Sequence, residues 1–336
     1  MYDIWRDECN KCRENVCCSK ESFAIARRIC KRIGAEHHIV DVSKEFKKEV
    51  IDYFIRELKA NRTPSPCVFC NPKVKFRELF KFAEKVGAEF VATGHYARVE
   101  PSPKSEGSTL LLKAKDEEKD QTYSLSFLTQ KDLARIIFPL GDLTKDQVYE
   151  IAKKQKGFEI FEKRKQSQDF CFISKGSIPR FLEKEIGINE GLIMNTSRKV
   201  VGTHRGLHFY TIGQRRGIGI AGLRLQDKKA ETRPYYVAAK DEDTNTLFVS
   251  RNRSQFAKSE IMLKPYNLIS EESIKKPIKV TAKLRSTAML KGANLSRCGD
   301  SLSLKFSQKQ QFVTPGQVAV FYDGQVCLGG GCICDA

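Results

Sequence analysis

The stretch Phe90-Val91-Ala92-Thr93-Gly94-His95-Tyr96 decides the architecture of the first half of the chain. Phe90 to Thr93 read as a strand that runs straight into a glycine and a polar turn. Residues 73–86 just upstream carry helical spacing and end at Gly87, a residue suited to closing a helix. Residues 43–60 show the same pattern, with Phe46, Val50, Phe54 and Leu58 as the expected buried stripe. Before them, His38-Ile39-Val40-Asp41-Val42 reads as a short strand, and residues 19–33 as a helix. Ser19 is its N-cap, Phe23, Ala26, Ile29, Cys30 and Ile33 form its stripe, and Gly34 its terminator. Alternating helices and strands imply parallel βαβ units, hence an α/β, Rossmann-like sheet. Ligands collect beyond the carboxyl ends of such strands, where Gly94 and His95 lie. A loop histidine capping backbone groups is the plainer reading of His95.

Residues 101–122 are charged and irregular, and helical patterns return over 130–137, 145–156 and 178–186. Beyond residue 190 the texture changes. Helical stripes vanish and turns multiply. Residues 203–222 hold Gly206, Gly213, Gly217, Gly219 and Gly222 among Arg205, Arg215 and Arg216. Such a segment suits either tight turns or close backbone approach to phosphate. Tyr236–Ala239, Thr246–Val249, Ile278–Ala282, Leu302–Leu304 and Val318–Phe321 read as short strands of a small β-barrel. The expected division is a catalytic α/β domain over 1–175, a small central domain over 176–234 and a C-terminal β-barrel over 235–336.

The chain has 336 residues, with 59 Lys and Arg against 41 Asp and Glu, a formal net charge of +18. That excess favours a polyanionic partner through phosphate contacts and counterion release. No apolar run approaches the ~20 residues that span a bilayer, and the N-terminus shows no signal-peptide pattern, so a cytoplasmic, reduced setting is expected. Twelve cysteines then read as thiols, a few with redox or metal chemistry and the rest as packing.

The chemistry concentrates in Thr63-Pro64-Ser65-Pro66-Cys67-Val68-Phe69-Cys70-Asn71 and in Gln168-Asp169-Phe170-Cys171-Phe172. The prolines are expected to stiffen a loop that holds the Cys-x-x-Cys pair outside any helix or strand. Three chemistries fit. Structural zinc would enlist a second Cys-x-x-Cys at Cys9 and Cys12, with Cys17 and Cys18 nearby. Redox sulfur transfer would use Cys70 and Cys171. A 4Fe–4S cluster would be held by Cys67, Cys70 and Cys171, with one iron open.

Six segments taken in order resemble signatures of the tRNA-specific 2-thiouridylase family. They are Thr63–Asn71, Ala92–Tyr96, Lys119-Asp120-Gln121-Thr122-Tyr123, Phe170–Ile173, Tyr210-Thr211-Ile212-Gly213-Gln214-Arg215-Arg216-Gly217, and Pro315–Tyr322. The similarity runs from about Trp5 to Gly331. It implies an adenine-nucleotide-hydrolase-like catalytic domain that uses ATP with Mg2+. The enzyme adenylates the C2 oxygen of the wobble uridine of Lys, Glu and Gln acceptor tRNAs, and sulfur then displaces AMP. A cysteine desulfurase or sulfur relay protein would supply the sulfur. By resemblance Cys171 carries the persulfide and Cys70 is the nucleophile that could close a disulfide with it. Ser65, Pro66 and Cys67 would meet the target base, and Gly94 would meet ATP. His95, Lys119, Asp120, Gln121, Arg285, Ser286 and Gln317 would meet tRNA. Some members carry Asp where this chain has Cys67, a departure that favours the cluster reading.

The resemblance also implies an N-terminal strand, a Ser-Gly-Gly-Val-Asp-Ser-type phosphate loop and a helix. No such motif occurs in the sequence, and Met1 to Trp5 read as the end of a second strand. A misassigned start or a gene fragment is the expected cause. A catalytically impaired tRNA-binding homologue is the alternative.

Overall fold

The computed structural model describes residues 20–103, 105–155, 158, 171–173, 178–220, 234–269, 274 and 276–334. Lys20–Ile33 forms the first helix, with Glu21 in its first turn and Lys31 and Arg32 in its last, the arrangement a helix dipole favours. A second helical rod begins at Ser43, is π-helical over Lys47–Ile51 and ends at Lys59. Its expected stripe is in place, with Phe46, Val50, Phe54 and Leu58 all buried. They pack with Cys70, Phe172, Phe181 and Leu182 in one apolar cluster.

The third rod starts earlier than its periodicity suggests. Pro66–Cys70 is α-helical, Asn71–Phe76 π-helical and Arg77–Val86 α-helical, and Gly87 closes it in the left-handed conformation at φ 72°. The cysteine segment is therefore the first turn of a helix and not a loop. Pro66 occupies the first helical position, where its fixed φ suits the helix and its missing N–H is no loss.

Two further expectations are corrected. Residues 38–42 make no ladder among the described residues, and Ile39 and Val40 are exposed. A strand exists only through a partner's backbone, and β-propensity supplies none. Within 130–137, only Gln130–Leu133 is helical, started by a capping box between Thr129 and Asp132. The β-branched pair Ile136–Ile137 leaves the helix and forms a strand.

The first strands are β1 (Val91–Ala92), β2 (Ala97–Pro101), β3 (Thr109–Lys113) and β4 (Ile136–Ile137). β1 and β4 pair in parallel. The hairpin β2–β3, whose second strand falls in the stretch 101–122 expected to be irregular, leaves this domain and pairs with the far end of the chain. Next come β5 (Gly191–Asn195), β6 (Val200–His204), β7 (Tyr236–Asp241) and β8 (Thr246–Ser250), in the order β6-β5-β8-β7. β7 and β8, expected in the C-terminal barrel, belong instead to this central sheet through the parallel β5–β8 pairing. The boundary thus falls after Ser250 and not at residue 235. Strand propensity is the same in either sheet, so only pairing decides it.

The barrel itself contains β9 (Lys258–Leu268), β10 (Ile278–Lys283), β11 (Lys291–Cys298), β12 (Ser301–Gln310), β13 (Val318–Asp323) and β14 (Val326–Ile333). The order β13-β10-β11-β12-β9-β14 closes through the β13–β14 pairing. Closure leaves no open edge. Val318, Val320 and Tyr322 face the core of the catalytic domain, whereas Ala319 and Phe321 face the barrel interior. Alternation along a strand sends successive side chains to opposite faces, so β13 is a wall shared by two cores.

Side-chain amides fasten the barrel to the catalytic domain. Asn267 donates from Nδ2 to the carbonyls of Ser126 (3.0 Å) and Leu128 (2.9 Å). Gln130 donates from Nε2 to Ile269 O at 2.7 Å and Thr109 O at 2.9 Å. Replacing Asn267 by Ala leaves two carbonyls without these donors. It is expected to lower stability by about 1–3 kcal/mol, read as a lower denaturant midpoint at unchanged slope. An unchanged midpoint would show that the amide ties carry no stability.

Candidate active site at the start of the cysteine helix

Strands β13 and β14 and the second helical rod set the position of the Thr63–Cys67 segment. Thr63 N–H donates to Pro315 O at 2.9 Å. Gln317 Nε2 donates to the carbonyls of Thr63 (3.1 Å) and Pro64 (3.3 Å). Gly316 lies at φ +82°, and a Cβ added there would sit 2.8 Å from Arg62 Cβ. The backbone crossing is therefore too close for any larger residue. Ser65 is buried. Its N–H points to the Tyr53 hydroxyl at 3.5 Å, and its side chain meets the Tyr123 hydroxyl, which also donates to Val318 O at 2.7 Å.

On this pinned start, helical spacing places Cys67 and Cys70 one turn apart in unlike surroundings. Cys67 is exposed and Cys70 buried, and neither is in a disulfide. Cys70 lies inside the apolar cluster of Phe46, Val74 and Phe172, and Cys171 packs against that same cluster. The fold thus places two cysteines separated by a hundred positions in sequence on one apolar cluster. Burial pushes the Cys70 thiol up to about 11, because an apolar surrounding penalises the thiolate. Burial also raises Cys67, even though the residue reaches the surface. In both cases the Lys75 ammonium pulls the other way.

Lys75 is the residue that sequence reading passed over. It follows Cys70 by five positions inside the π-helical stretch Asn71–Phe76. A π-turn bonds residue i to i+5, which carries Lys75 over the cysteine turn. No spacing rule for a plain α-helix would have indicated it. The only hint in the sequence is the basic run Lys73-Val74-Lys75 directly after the cysteines. Asn71 beside Cys70 is buried. Its Nδ2 donates to Ser124 O at 2.7 Å, while its Oδ1 has no partner among the described residues.

At the carboxyl end of β1, Gly94 is exposed, and a Cβ there would meet only Leu140 Cδ1 at 3.6 Å. His95 Nδ1 is 2.8 Å from Thr93 Oγ1, and its ring packs near Phe76 and Phe138. Burial, aided by Lys75, lowers its pKa to about 4, so it is a neutral imidazole at pH 7. It is therefore a hydrogen-bonding group and not a cation.

Other expected contact residues have structural partners. Asp120 accepts from Ala114 N (3.1 Å) and Thr122 Oγ1 (2.7 Å). Gln121 accepts from Tyr96 N at 2.9 Å. Gln121 thus ties the Lys119–Tyr123 segment to the loop after β1, and Asp120 ties it to the residue that follows β3. Lys119 is half-buried beside them. Arg285 donates from Nη2 to Phe312 O at 2.8 Å, and Ser286 next to it is exposed.

Among the described residues, no three His, Cys, Asp or Glu side chains converge to hold a metal ion. Cys67 and Cys70 face surface and core respectively, so with Cys171 they form no three-thiol cage. The arrangement does not fit a 4Fe–4S cluster. The second Cys-x-x-Cys of the zinc reading lies outside the described residues. No helix among the described residues is long and apolar enough to cross a membrane.

Comparison with known proteins covers nearly the whole chain. Residues 1–175 match a family model described as a tRNA methyl transferase HUP domain. Residues 179–251 match a tRNA methyl transferase PRC-barrel domain, and 258–333 an aminomethyltransferase beta-barrel domain. Among curated relatives, tRNA-specific 2-thiouridylase MnmA of Halothermothrix orenii is 42% identical over 95% of this chain and 86% of its own length. The protein of the same name from Clostridioides difficile is 37% identical over 98% of this chain and 89% of its own. That of Roseiflexus castenholzii is 36% identical over 98% and 90%.

The thiol electrostatics are directly measurable. With its pKa near 11, Cys70 is almost wholly protonated at pH 8, with about one part in a thousand as thiolate. Its alkylation by iodoacetamide, followed by peptide mass spectrometry, should climb about tenfold per pH unit up to that range. Lys75→Gln removes a cation that favours the thiolate, so the same curve should move to higher pH. A Cys70 that labels rapidly at pH 7 would contradict the buried, protonated state.

Proposed function

The chain belongs to the tRNA-specific 2-thiouridylase family, and from that membership we infer that it is a tRNA-uridine 2-sulfurtransferase. The descriptions of the domain models speak of methyl transfer, whereas the relatives' names speak of thiolation. The observation that supports thiolation is the placement of Cys70 and Cys171 on one apolar cluster next to the Ser65–Cys67 turn. Two cysteines on one cluster suit sulfur transfer, and methyl transfer has no use for the pair. No comparison favours the impaired tRNA-binding alternative.

The reaction begins with a poor leaving group. The C2 oxygen of the wobble uridine attacks the α-phosphorus of ATP and expels pyrophosphate, so that AMP becomes the leaving group. The exposed backbone at Gly94, at the carboxyl end of a parallel strand, is the proposed ATP contact, with Mg2+ on the phosphates. The terminal sulfur of a Cys171 persulfide then attacks C2, and AMP departs. Cys70 attacks Sγ of Cys171, forms the Cys70–Cys171 disulfide and releases the 2-thiouridine. A dithiol reductant restores both thiols, and a cysteine desulfurase or relay protein reloads Cys171. For its part in this sequence Cys70 must shed a proton inside an apolar cluster, and Lys75 is the cation whose field favours that step.

The uridine must leave its stack to reach the cysteines. Ser65, Pro66 and Cys67 are the proposed wall of its pocket. His95, Lys119, Asp120, Gln121, Arg285, Ser286 and Gln317 are proposed as the surrounding tRNA surface, in keeping with the net charge of +18. Lys, Glu and Gln acceptors are the proposed substrates.

Cys70→Ser and Cys171→Ser should each reduce 2-thiouridine formation by at least a thousandfold, measured by nucleoside mass spectrometry. Adenylation of the tRNA, read as pyrophosphate release, should persist in both. Thiolation surviving in either variant would remove that residue from the mechanism.

A further inference from the structure

Catalytic domain, central sheet and barrel meet at a cavity of about 390 Å³ on the far flank of the Asn61–Pro64 segment. We propose that this cavity receives one unstacked nucleotide of the tRNA, next to the target uridine in the anticodon loop. The inference rests on the function proposed above.

Three features of the cavity carry it. The first is an aromatic surface. Tyr236 and Phe312 pack with ring centroids 5.5 Å apart, and Phe256 lines the same cavity 43% exposed. Phe256 has no ring partner among the described residues. A large exposed aromatic at the mouth of a cavity offers a free face to a base, and stacking accepts any base because each has a π-face.

The second is the charge. Arg253 stacks its guanidinium over Tyr236 (4.8 Å) and Phe312 (5.6 Å). Lys240 and Lys258 also line the cavity, against the single carboxylate of Glu242. Lys240 Nζ donates to Asn61 O at 2.8 Å and forms no ion pair among the described residues. Flat apolar faces beside cations that outnumber the one carboxylate suit a base with its phosphate. A neutral apolar ligand would have no use for the cations.

The third is position. Asn61 and Pro315 line the cavity, and Thr63 N–H donates to Pro315 O. Ser65 lies four residues beyond Asn61, at most about 14 Å along an extended backbone. The target base and the cavity therefore flank the same short segment, within reach of adjacent nucleotides of a splayed loop. A volume near the lower end for ligand sites suits one nucleotide.

The test uses the full-length protein and an anticodon stem–loop RNA, either intact or abasic at the position 5′ or 3′ to the target uridine. Phe256→Ala and Arg253→Gln both alter exposed side chains, and neither belongs to the cysteine site. Each should weaken binding of intact RNA roughly tenfold. On the wild-type protein, one of the two abasic RNAs should lose a similar factor. Phe256→Ala combined with that abasic RNA should lose no more than either change alone. Independent, multiplicative losses, or variants that bind like wild type, overturn the proposal while leaving the thiolation reading standing. A wild-type protein that neither binds nor thiolates the intact RNA overturns both. If ATP or AMP affinity falls in the variants while RNA affinity holds, the occupant is a free nucleotide and the proposal fails.

Discussion

Everything at the cysteine site depends on β13 being buried on both faces. Val318, Val320 and Tyr322 pack into the catalytic domain, and Ala319 and Phe321 into the barrel. One strand thereby welds two cores, and a shift of one residue would turn every side chain to the wrong core. Thr314 to Gln317, just before this strand, are held against the segment that leads to the cysteines. Pro315 O, Gly316 and Gln317 each touch Arg62, Thr63 or Pro64. The barrel therefore fixes the start of the cysteine helix as well as offering surface of its own.

The site combines two opposed electrostatic demands. Thiol chemistry needs thiolates, yet Cys70 is buried among aromatic rings, which disfavour charge. The π-helical stretch answers part of this by bringing Lys75 to the same turn. The same cation helps keep His95 neutral, so one ammonium acts against burial at Cys70 and with it at His95. A protonated resting thiol has a further consequence. In its protonated form Cys70 is a weak nucleophile.

Much of the architecture was legible from local pattern. The stripe Phe46, Val50, Phe54 and Leu58 is buried as its 3.6-residue period demands, and Gly87 ends its helix in the left-handed conformation. The misses among the strands have one cause. His38–Val42 has strand-like residues without a ladder partner. Ile136–Ile137 is a strand because Val91–Ala92 lies alongside it. β7 and β8 belong to the central sheet because β5 pairs with β8. Pairing is non-local, and propensity says nothing about which partner is chosen. The prolines of Thr63–Cys67 were read as stiffening a loop, although Pro66 at the first helical position equally begins a helix.

By itself the sequence determined the class of chain, the order of its α/β, central and barrel regions, and the cysteines to watch. These follow from periodicity, composition and ordered motifs, which are local properties. Only the tertiary structure decided that Cys70 and Cys171 share one apolar cluster, that Cys67 faces away from it, and that Lys75 and His95 join the same electrostatic neighbourhood. The cavity flanking Asn61–Pro64 likewise exists only where three regions distant in sequence meet. Burial, field and proximity are set by residues far apart along the chain, and no window of sequence contains them.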